Sequence, residues 1–533
     1  MASSRIRIMA KRLPAIFKKL PLLRLLLAVV GGVCSSLAMP REGIWPLIFV
    51  SVALLLASIY RQKFSTALLI GFVGGLSFYL SQIEWLSLYL GPVPWLALSV
   101  LEAAIFAIGM ATTAAVWAWL DQKLPKTWPG ASLTALTIAI IWTSREWVAI
   151  TLPYGGFPWS RLAQTQSESI LAKWVYIGGL GWLTFLIAAL SALLVITAIS
   201  FFKQGFRIKH LVLPAVSYAL IFAIPALMVI PSNAEAGTLT VGSVQGNAKA
   251  GLFSNEVRGT ILNNHLSASK LLQSLPLRSS MDVVVWPENA SDISPLSDIG
   301  AAAKITDFVD NEIKVPLILG AISSRGEGLY NSSVLWEPGV GPTDWYDKKR
   351  PVPFAEYVPD RDFWYQLAPD LIGLVSRGYN FGTRDGLFSI QNKADAGVLI
   401  CFEIAIDDIG RNLVSEGAQV IFSQTNNADF GHSDETYQQG AFAKLRAIET
   451  GRAIVNISTV GLSMVYAPDG TKLDSLPVFE PGAMITEVPL RTTKTPAMII
   501  GSSVDLFFNL AAVLIMIIVL MTWLRKRKRG SGR

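Results

Sequence analysis

Hydrophobic positions in the first 231 residues fall in long unbroken runs, without the period of 2 or 3.6 that marks half-buried elements of a water-soluble core. A bilayer crossing needs roughly 20 apolar residues. Runs of about that length lie near 22–39, 44–60, 65–83, 93–120, 131–150, 174–201 and 211–231, with one more near 499–524. Between 232 and 498 the pattern changes. Short β-rich runs bounded by turns appear at Leu239–Val244, Val283–Trp286, Leu317–Leu319, Val398–Ile400, Val420–Ser423 and Ala453–Ile457. Helical stretches such as Asn255–Gln273 and Thr436–Glu449 lie between them. Strands alternating with helices predict a layered α/β domain, and about 260 residues are ample for one core. The predicted organisation is a transmembrane domain of about seven helices over 1–231, a catalytic domain over 232–498, and a last transmembrane helix with a basic tail over 499–533. Val488–Pro496 reads as the linker into that last helix.

Composition supports a membrane solvent for part of the chain. Of 533 residues, 52% are hydrophobic and 16% charged, against roughly 25% charged in an average soluble domain. The 16 Trp residues fit membrane–water interfaces. The first run has a basic n-region and small residues at Ser35, Ser36 and Ala38, which also suits a cleaved signal peptide. Val33 occupies the place where a lipobox needs a small residue before Cys34. An uncleaved first helix is the expectation.

The formal net charge of +7 sits beside the apolar runs. Lys11, Arg12, Lys18 and Lys19 precede the first run, Arg61 and Lys63 follow the second, and Lys123 and Lys126 follow the fourth. Lys203, Arg207, Lys209 and His210 follow the sixth, and Arg525 to Arg529 end the last. All fall on one side if eight helices alternate. The positive-inside rule makes that side cytoplasmic. It predicts a multi-pass protein of the bacterial cell membrane, with both termini cytoplasmic and 232–498 extracytoplasmic. Nucleic-acid binding would need a basic face on a soluble domain, and is excluded as a reading.

Three strand-end motifs of the 232–498 domain carry reactive side chains. Val283-Val-Val-Trp-Pro delivers Glu288, Trp345-Tyr-Asp delivers Lys348 before Val352-Pro-Phe-Ala-Glu356, and Gly397-Val-Leu-Ile delivers Cys401 before Phe402 and Glu403. A thiol with a reference pKa of about 8.5 is mostly protonated at neutral pH, and the thiolate is the nucleophile. A carboxylate can take the proton. An ammonium can stabilise both the thiolate and the oxyanion formed on an ester carbonyl. A covalent acyl-thioester then splits one hard transfer into two easier ones. The bland readings stay open at this point: Cys401 as a core cysteine, Lys349 in place of Lys348, Glu356 as a loop anchor, Glu403 as an ion-pair partner. His210, His265 and His432 lack metal-ligand spacing, so neither a metal site nor a cofactor is expected. Glu102, Arg145 and Glu146 fall within apolar runs, where charge is costly, and take no assigned role.

Together these motifs resemble the nitrilase superfamily, and the membrane helices make the chain resemble its apolipoprotein N-acyltransferase branch. Gln245-Gly-Asn, Gly156-Phe-Pro-Trp159, Thr425-Asn426-Asn-Ala-Asp-Phe430 and Arg446-Ala-Ile-Glu449-Thr-Gly-Arg452 extend the resemblance over nearly the whole chain. It implies an αββα sandwich with Glu288 as general base, Lys348 as oxyanion-stabilising cation and Cys401 as nucleophile, supported by Glu356, Phe402, Glu403 and Asn426. It also implies a phospholipid acyl donor and a diacylglyceryl-modified apolipoprotein acceptor. A membrane glycolipid-synthesis enzyme is a further candidate partner. Two departures stand out. Many relatives have Tyr where this chain has Phe402, and many carry a Trp near Ala250–Ser254, where Phe253 is the aromatic residue. The segment 360–384, rich in apolar and aromatic residues, reads either as a loop packed on its own domain or as an arm in the membrane interface, with Phe363, Trp364 and Leu367 as lipid-access candidates. The rival functions are a membrane-tethered amidase or hydrolase using the same three groups, and a non-catalytic scaffold.

Overall fold

A computed structural model describes residues 21–125, 127–204, 209–251, 257–375 and 378–530. Lys11, Arg12, Lys18, Lys19, Lys126, Arg207 and Phe253, singled out above, lie outside them. Among the described residues two compact units form. One draws on Met1–Glu84, Pro92–Val229 and Ile500–Arg533, the other on Trp85–Gly91 and Ile230–Ile499.

The first unit is helical: Pro21–Ser36, Leu47–Ile59, Phe64–Gln82, Pro92–Lys123, Trp128–Ala149, Val175–Gln204 and Lys209–Leu227, with most of Pro496–Gly530. Every predicted apolar run is helical over most of its length. Four spans, Phe64–Gln82, Pro92–Lys123, Ile170–Lys203 and Pro496–Lys526, are long and apolar enough to cross a membrane, whereas Leu22–Ser36, Leu47–Ile59 and Leu211–Leu227 are shorter. Helices in lipid approach closely through small residues, and Ala28, Ala67, Ala103, Ala107 and Ala111 are all buried here. Glu102, Arg145 and Glu146 are buried as well. Arg145 donates to the Tyr79 hydroxyl (3.3 Å), with its guanidinium over the Phe106 and Trp142 rings. Glu146 accepts from the Thr184 hydroxyl (2.7 Å) and the Leu162 N–H (3.2 Å), and pairs with Arg161 at 3.4 Å. Both charges are thus compensated inside the helical unit, as buried charge requires.

The second unit holds two six-stranded sheets. The strands are β1 (Thr238–Gln245), β2 (Val283–Val285), β3 (Leu317–Arg325), β4 (Gly328–Glu337), β5 (Gly341–Asp347), β6 (Leu387–Ile390), β7 (Ala394–Ile400), β8 (Val420–Thr425), β9 (Ala453–Ser458), β10 (Met464–Tyr466), β11 (Lys472–Ser475) and β12 (Gly482–Pro489). One sheet runs β12-β1-β2-β3-β4-β5 and the other β11-β10-β9-β8-β7-β6. Their centres, β1-β2-β3 and β7-β8-β9, are parallel. Central parallel strands are covered on both faces and so read as continuous apolar runs. The inter-sheet core takes Val241, Val283 and Val285 from one sheet and Val398, Phe422 and Val455 from the other. A second core packs Trp286, Leu317 and Leu319 against the helices Thr260–Ser269 and Ile299–Asp307. The helices Asp407–Ser415 and Glu435–Thr450 lie against the other sheet, giving the helix–sheet–sheet–helix layering.

Candidate active site

Parallel strands end together, so the loops after β2, β7, β8 and β9 meet at one edge of the sandwich. Register fixes the levels: Ile400 pairs with Gln424, and Thr425 with Ser458. Gln424 also crosses between sheets, donating to the Trp286 carbonyl at 2.6 Å. The Glu288 loop then lies directly on β3. A Cβ on Gly320 would come within 2.3 Å of the Pro287 carbonyl oxygen, so no larger residue fits beneath Glu288 without displacing it.

Glu288, Lys348 and Cys401 converge there. Glu288 is 4% exposed and Lys348 1%. The Lys348 ammonium contacts Glu356 at 2.9 Å and Glu288 at 3.4 Å. The Cys401 thiol lies close enough to the Glu288 carboxyl and the Lys348 ammonium for each to act on it electrostatically. Cys401 itself takes a left-handed φ of 53°, at the step from β7 into the 3-10 turn Cys401–Ala405. A residue with a side chain rarely adopts that conformation, and such strain collects at functional turns. Lys349, the alternative lysine, instead pairs with Asp385 at 2.7 Å.

Burial and charge act against each other here. Burial tends to lower the Lys348 ammonium, but Glu356 and then Glu288 more than offset it and hold it well above the usual lysine range. Burial pushes the Glu288 carboxyl up, against the pull of Lys348 and with added repulsion from Glu356. Burial of the sulfur, reinforced by Glu288, raises the Cys401 thiol, while Lys348 opposes.

Asn331 on β4, missed at the sequence level, ties two of the carboxyls together. Its amide donates to Glu288 at 2.7 Å and to Glu356 at 2.8 Å. Glu356 also caps its own loop, accepting from the Val352 N–H at 2.6 Å. Glu403 is fully buried. It accepts from the N–H groups of Ile400 (2.9 Å), Lys349 (2.8 Å) and Arg350 (3.1 Å), and from the Tyr346 hydroxyl (2.9 Å). Both ends of its carboxylate hold backbone, locking the loop after Lys348 to the strand before Cys401. Arg446 acts from the other side, donating to the Ile404 and Ala405 carbonyls at 2.9 Å each. Phe402 is buried beside the nucleophile.

The pair Asn426–Asn427 divides otherwise than expected. Asn426 makes a local turn, accepting from the Ala428 N–H at 3.2 Å. Asn427 is the one turned into the core, donating to Glu435 at 2.6 Å and to Gln439 at 2.7 Å. Gln439 in turn donates to the Cys401 sulfur at 3.4 Å. Tyr379 also faces the site: burial, then the Glu356 and Glu288 carboxylates, push its hydroxyl up. Gln245 is structural, donating to the Pro477 and Glu480 carbonyls. Gly156-Phe-Pro-Trp159 belongs to the helical unit, where the Phe157 and Trp159 rings stack.

Segment Trp85–Gly91, a link between two helices of the first unit, packs in the second. The Trp85 indole donates to Gln438 at 3.0 Å, and its ring meets Phe430 edge-on at 5.0 Å. Tyr89 adds a second ring contact to Phe430 and donates to the Ala355 carbonyl at 3.4 Å. In segment 360–384, Phe363 is 57% and Leu367 65% exposed. Trp364, grouped with them from sequence, packs against Phe354 at 5.3 Å instead.

Residues 31–193 match the apolipoprotein N-acyltransferase N-terminal domain, and residues 240–496 match the carbon-nitrogen hydrolase family. The chain is 32% identical to the apolipoprotein N-acyltransferase of Mycolicibacterium smegmatis, over 93% of this chain and 84% of the relative. It is 26% identical to that of Vibrio parahaemolyticus, over 95% and 98%. A nitrilase-superfamily amidase from Nesterenkonia is 16% identical over 51% of this chain and 95% of that one, with a TM-score of 0.37.

Proposed function

Because the chain belongs to the apolipoprotein N-acyltransferase family, we propose that it moves a fatty acyl group from a phospholipid to the α-amine of a diacylglyceryl-modified lipoprotein cysteine, by way of a Cys401 thioester. The observation that carries this reading is the convergence of Glu288, Lys348 and Cys401 in one largely buried cluster. In the first step Glu288 takes the thiol proton and the sulfur attacks the ester carbonyl. Lys348 faces the oxyanion. Collapse breaks the ester C–O bond, and the departing alcohol takes the proton from Glu288. In the second step the amine attacks the thioester, its proton passes to Glu288, the C–S bond breaks, and the sulfur recovers a proton. Asn331 and Glu356 hold Glu288 and Lys348 in place, while Glu403 fixes the backbone around the cysteine.

The substrate is a membrane lipid, and exposing its tails to water costs about 0.8 kcal/mol per CH₂. The exposed Phe363 and Leu367 suit an arm that dips into the interface and admits the lipid. Eight crossings, with the second unit outside the cytoplasm, agree with the placement of basic loops. Mass spectrometry of the purified protein is expected to find a hydroxylamine-sensitive acyl adduct on Cys401. Cys401→Ala and Glu288→Gln should abolish it, and Lys348→Ala nearly so. A normal adduct in Cys401→Ala would overturn the assignment. Labelled phospholipid released as free acid without an acceptor peptide would favour the hydrolase reading instead.

A further inference from the structure

The polar groups behind Cys401 form a chain whose direction is fixed at its far end. The Gly461 backbone N–H can only donate, and it donates to the Ser458 hydroxyl at 2.9 Å. The Ser458 hydrogen is therefore directed onward, to Asn427 Oδ1 at 2.6 Å. The same oxygen faces Thr436, whose hydroxyl likewise accepts from a backbone N–H, that of Leu462 at 2.8 Å. With its oxygen occupied by donors, Asn427 must turn its amide nitrogen to the other side. There it donates to Gln439 Oε1 at 2.7 Å. That sets the Gln439 amide in turn, leaving Nε2–H aimed at Cys401 Sγ at 3.4 Å. Ser458, Thr436, Asn427 and Gln439 are all buried, and Cys401 is half-buried. Gly461 is required as glycine, since a Cβ there would lie 2.2 Å from Asn427 Oδ1.

We propose that Gln439 is a catalytic hydrogen-bond donor to the Cys401 sulfur, held in the donating sense by the one-way chain Gly461–Ser458–Asn427–Gln439. The inference rests on Cys401 being the nucleophile. It adds a neutral donor to the titratable groups around the sulfur, which are Glu288 after β2, Lys348 after β5 and Glu435 on the helix Glu435–Thr450. A donor to sulfur is strongest when the sulfur is anionic, and a thioester sulfur accepts poorly. Gln439 therefore favours the thiolate as it attacks and again as the amine expels it, more than it favours the acyl-enzyme. That difference speeds both steps.

The test is the rate at which iodoacetamide alkylates Cys401 in the purified full chain, followed against pH on the Cys401 peptide so that Cys34 does not contribute. Gln439→Met keeps the size and removes the donor. Its line of log rate against pH should move to higher pH by about one unit, or roughly tenfold slower at fixed pH, the scale of a lost hydrogen bond to a charged group. Gln439→Glu, of equal size but offering a carboxylate, should move it further, and it carries the test if Gln439→Met does not fold. Asn427→Ser, which frees the Gln439 amide to turn over, should shift the line in the same direction by less. A loss of packing alone would slow Gln439→Met and spare the equal-sized Gln439→Glu, the reverse of the expected order. Lines for Gln439→Met and Gln439→Glu that coincide with the parent overturn the inference, even where the acyl adduct on Cys401 forms normally. Failure of that adduct in the parent chain would instead remove the reading beneath it.

Discussion

Burial sets the charge of Glu435. Its carboxyl is 2% exposed and is pushed up to about 8, first by burial and then by the nearby Glu288, with Asn427 opposing. The ordinary value is 4.5, so the folded state holds this proton more tightly than the unfolded chain does. Such a group lends stability that is complete below pH 4.5 and is lost as pH rises through 8. Glu435→Gln should therefore flatten the dependence of melting temperature on pH across that window and raise the melting temperature at alkaline pH. Parallel melting curves for the two proteins at every pH would contradict this. None of it was legible in the sequence, because Glu435 opens an ordinary helix and its burial comes from tertiary packing. Glu288 and Cys401 were legible because each ends an apolar strand, and Lys348 only through the motif around it, since the strand before it, Gly341–Asp347, is largely polar. The Asn426–Asn427 pair was legible only as a motif. Which asparagine faces inward depends on the turn after β8, and side-chain direction alternates from residue to residue.

At the scale of the element, strands announced themselves where both faces are covered. β2, β3, β7, β8 and β9 contain runs of apolar residues, β1 alternates, and all were anticipated in part. β4 was not, because its middle is Asn331, Ser332 and Ser333, all buried but polar. Ser332 donates to Asp347 at 2.6 Å, and Asn331 serves the two carboxyls. A strand that spends its inward positions on hydrogen bonds carries no hydrophobic signal. The short edge strand β11, Lys472–Ser475, is silent for the opposite reason, being largely solvated. The active-site strand pair β4–β5 should then be sensitive to a single amide. Asn331→Leu leaves Glu288 and Glu356 without their shared donor, and should cost about 1–3 kcal/mol of stability. Acyl-adduct formation should fall with it by about a hundredfold, and Asn331→Asp should be worse because it adds a third carboxyl to the cluster. Unchanged adduct formation in both variants would separate Asn331 from the chemistry.

Across the whole molecule, the balance of water and lipid decides what each part does. The helical unit compensates its charges internally, as with Glu146 between Arg161 and Thr184, and leaves apolar side chains such as Leu510, Leu514 and Leu520 outward on the last helix. On the second unit Phe363 and Leu367 are exposed together with Tyr365 and Leu374 in one short segment, whereas Ile299 and Val340 are exposed singly elsewhere on it. Replacing Phe363 and Leu367 with Ser should slow acyl transfer from long-chain phospholipid several-fold while sparing a short-chain water-soluble ester. Equal slowing of the two would refute a role in lipid access. The apolar runs were easily read from the sequence, but the seven residues Trp85–Gly91 were not, since nothing local marks a helix-to-helix link as belonging elsewhere. Their placement bears on how such a protein can be cut or recombined. A fragment spanning Ile230–Ile499 would be born with Phe430 stripped of both its ring neighbours and Gln438 of its indole. Swapping that fragment between relatives would carry the same defect unless the short N-terminal stitch travelled with it.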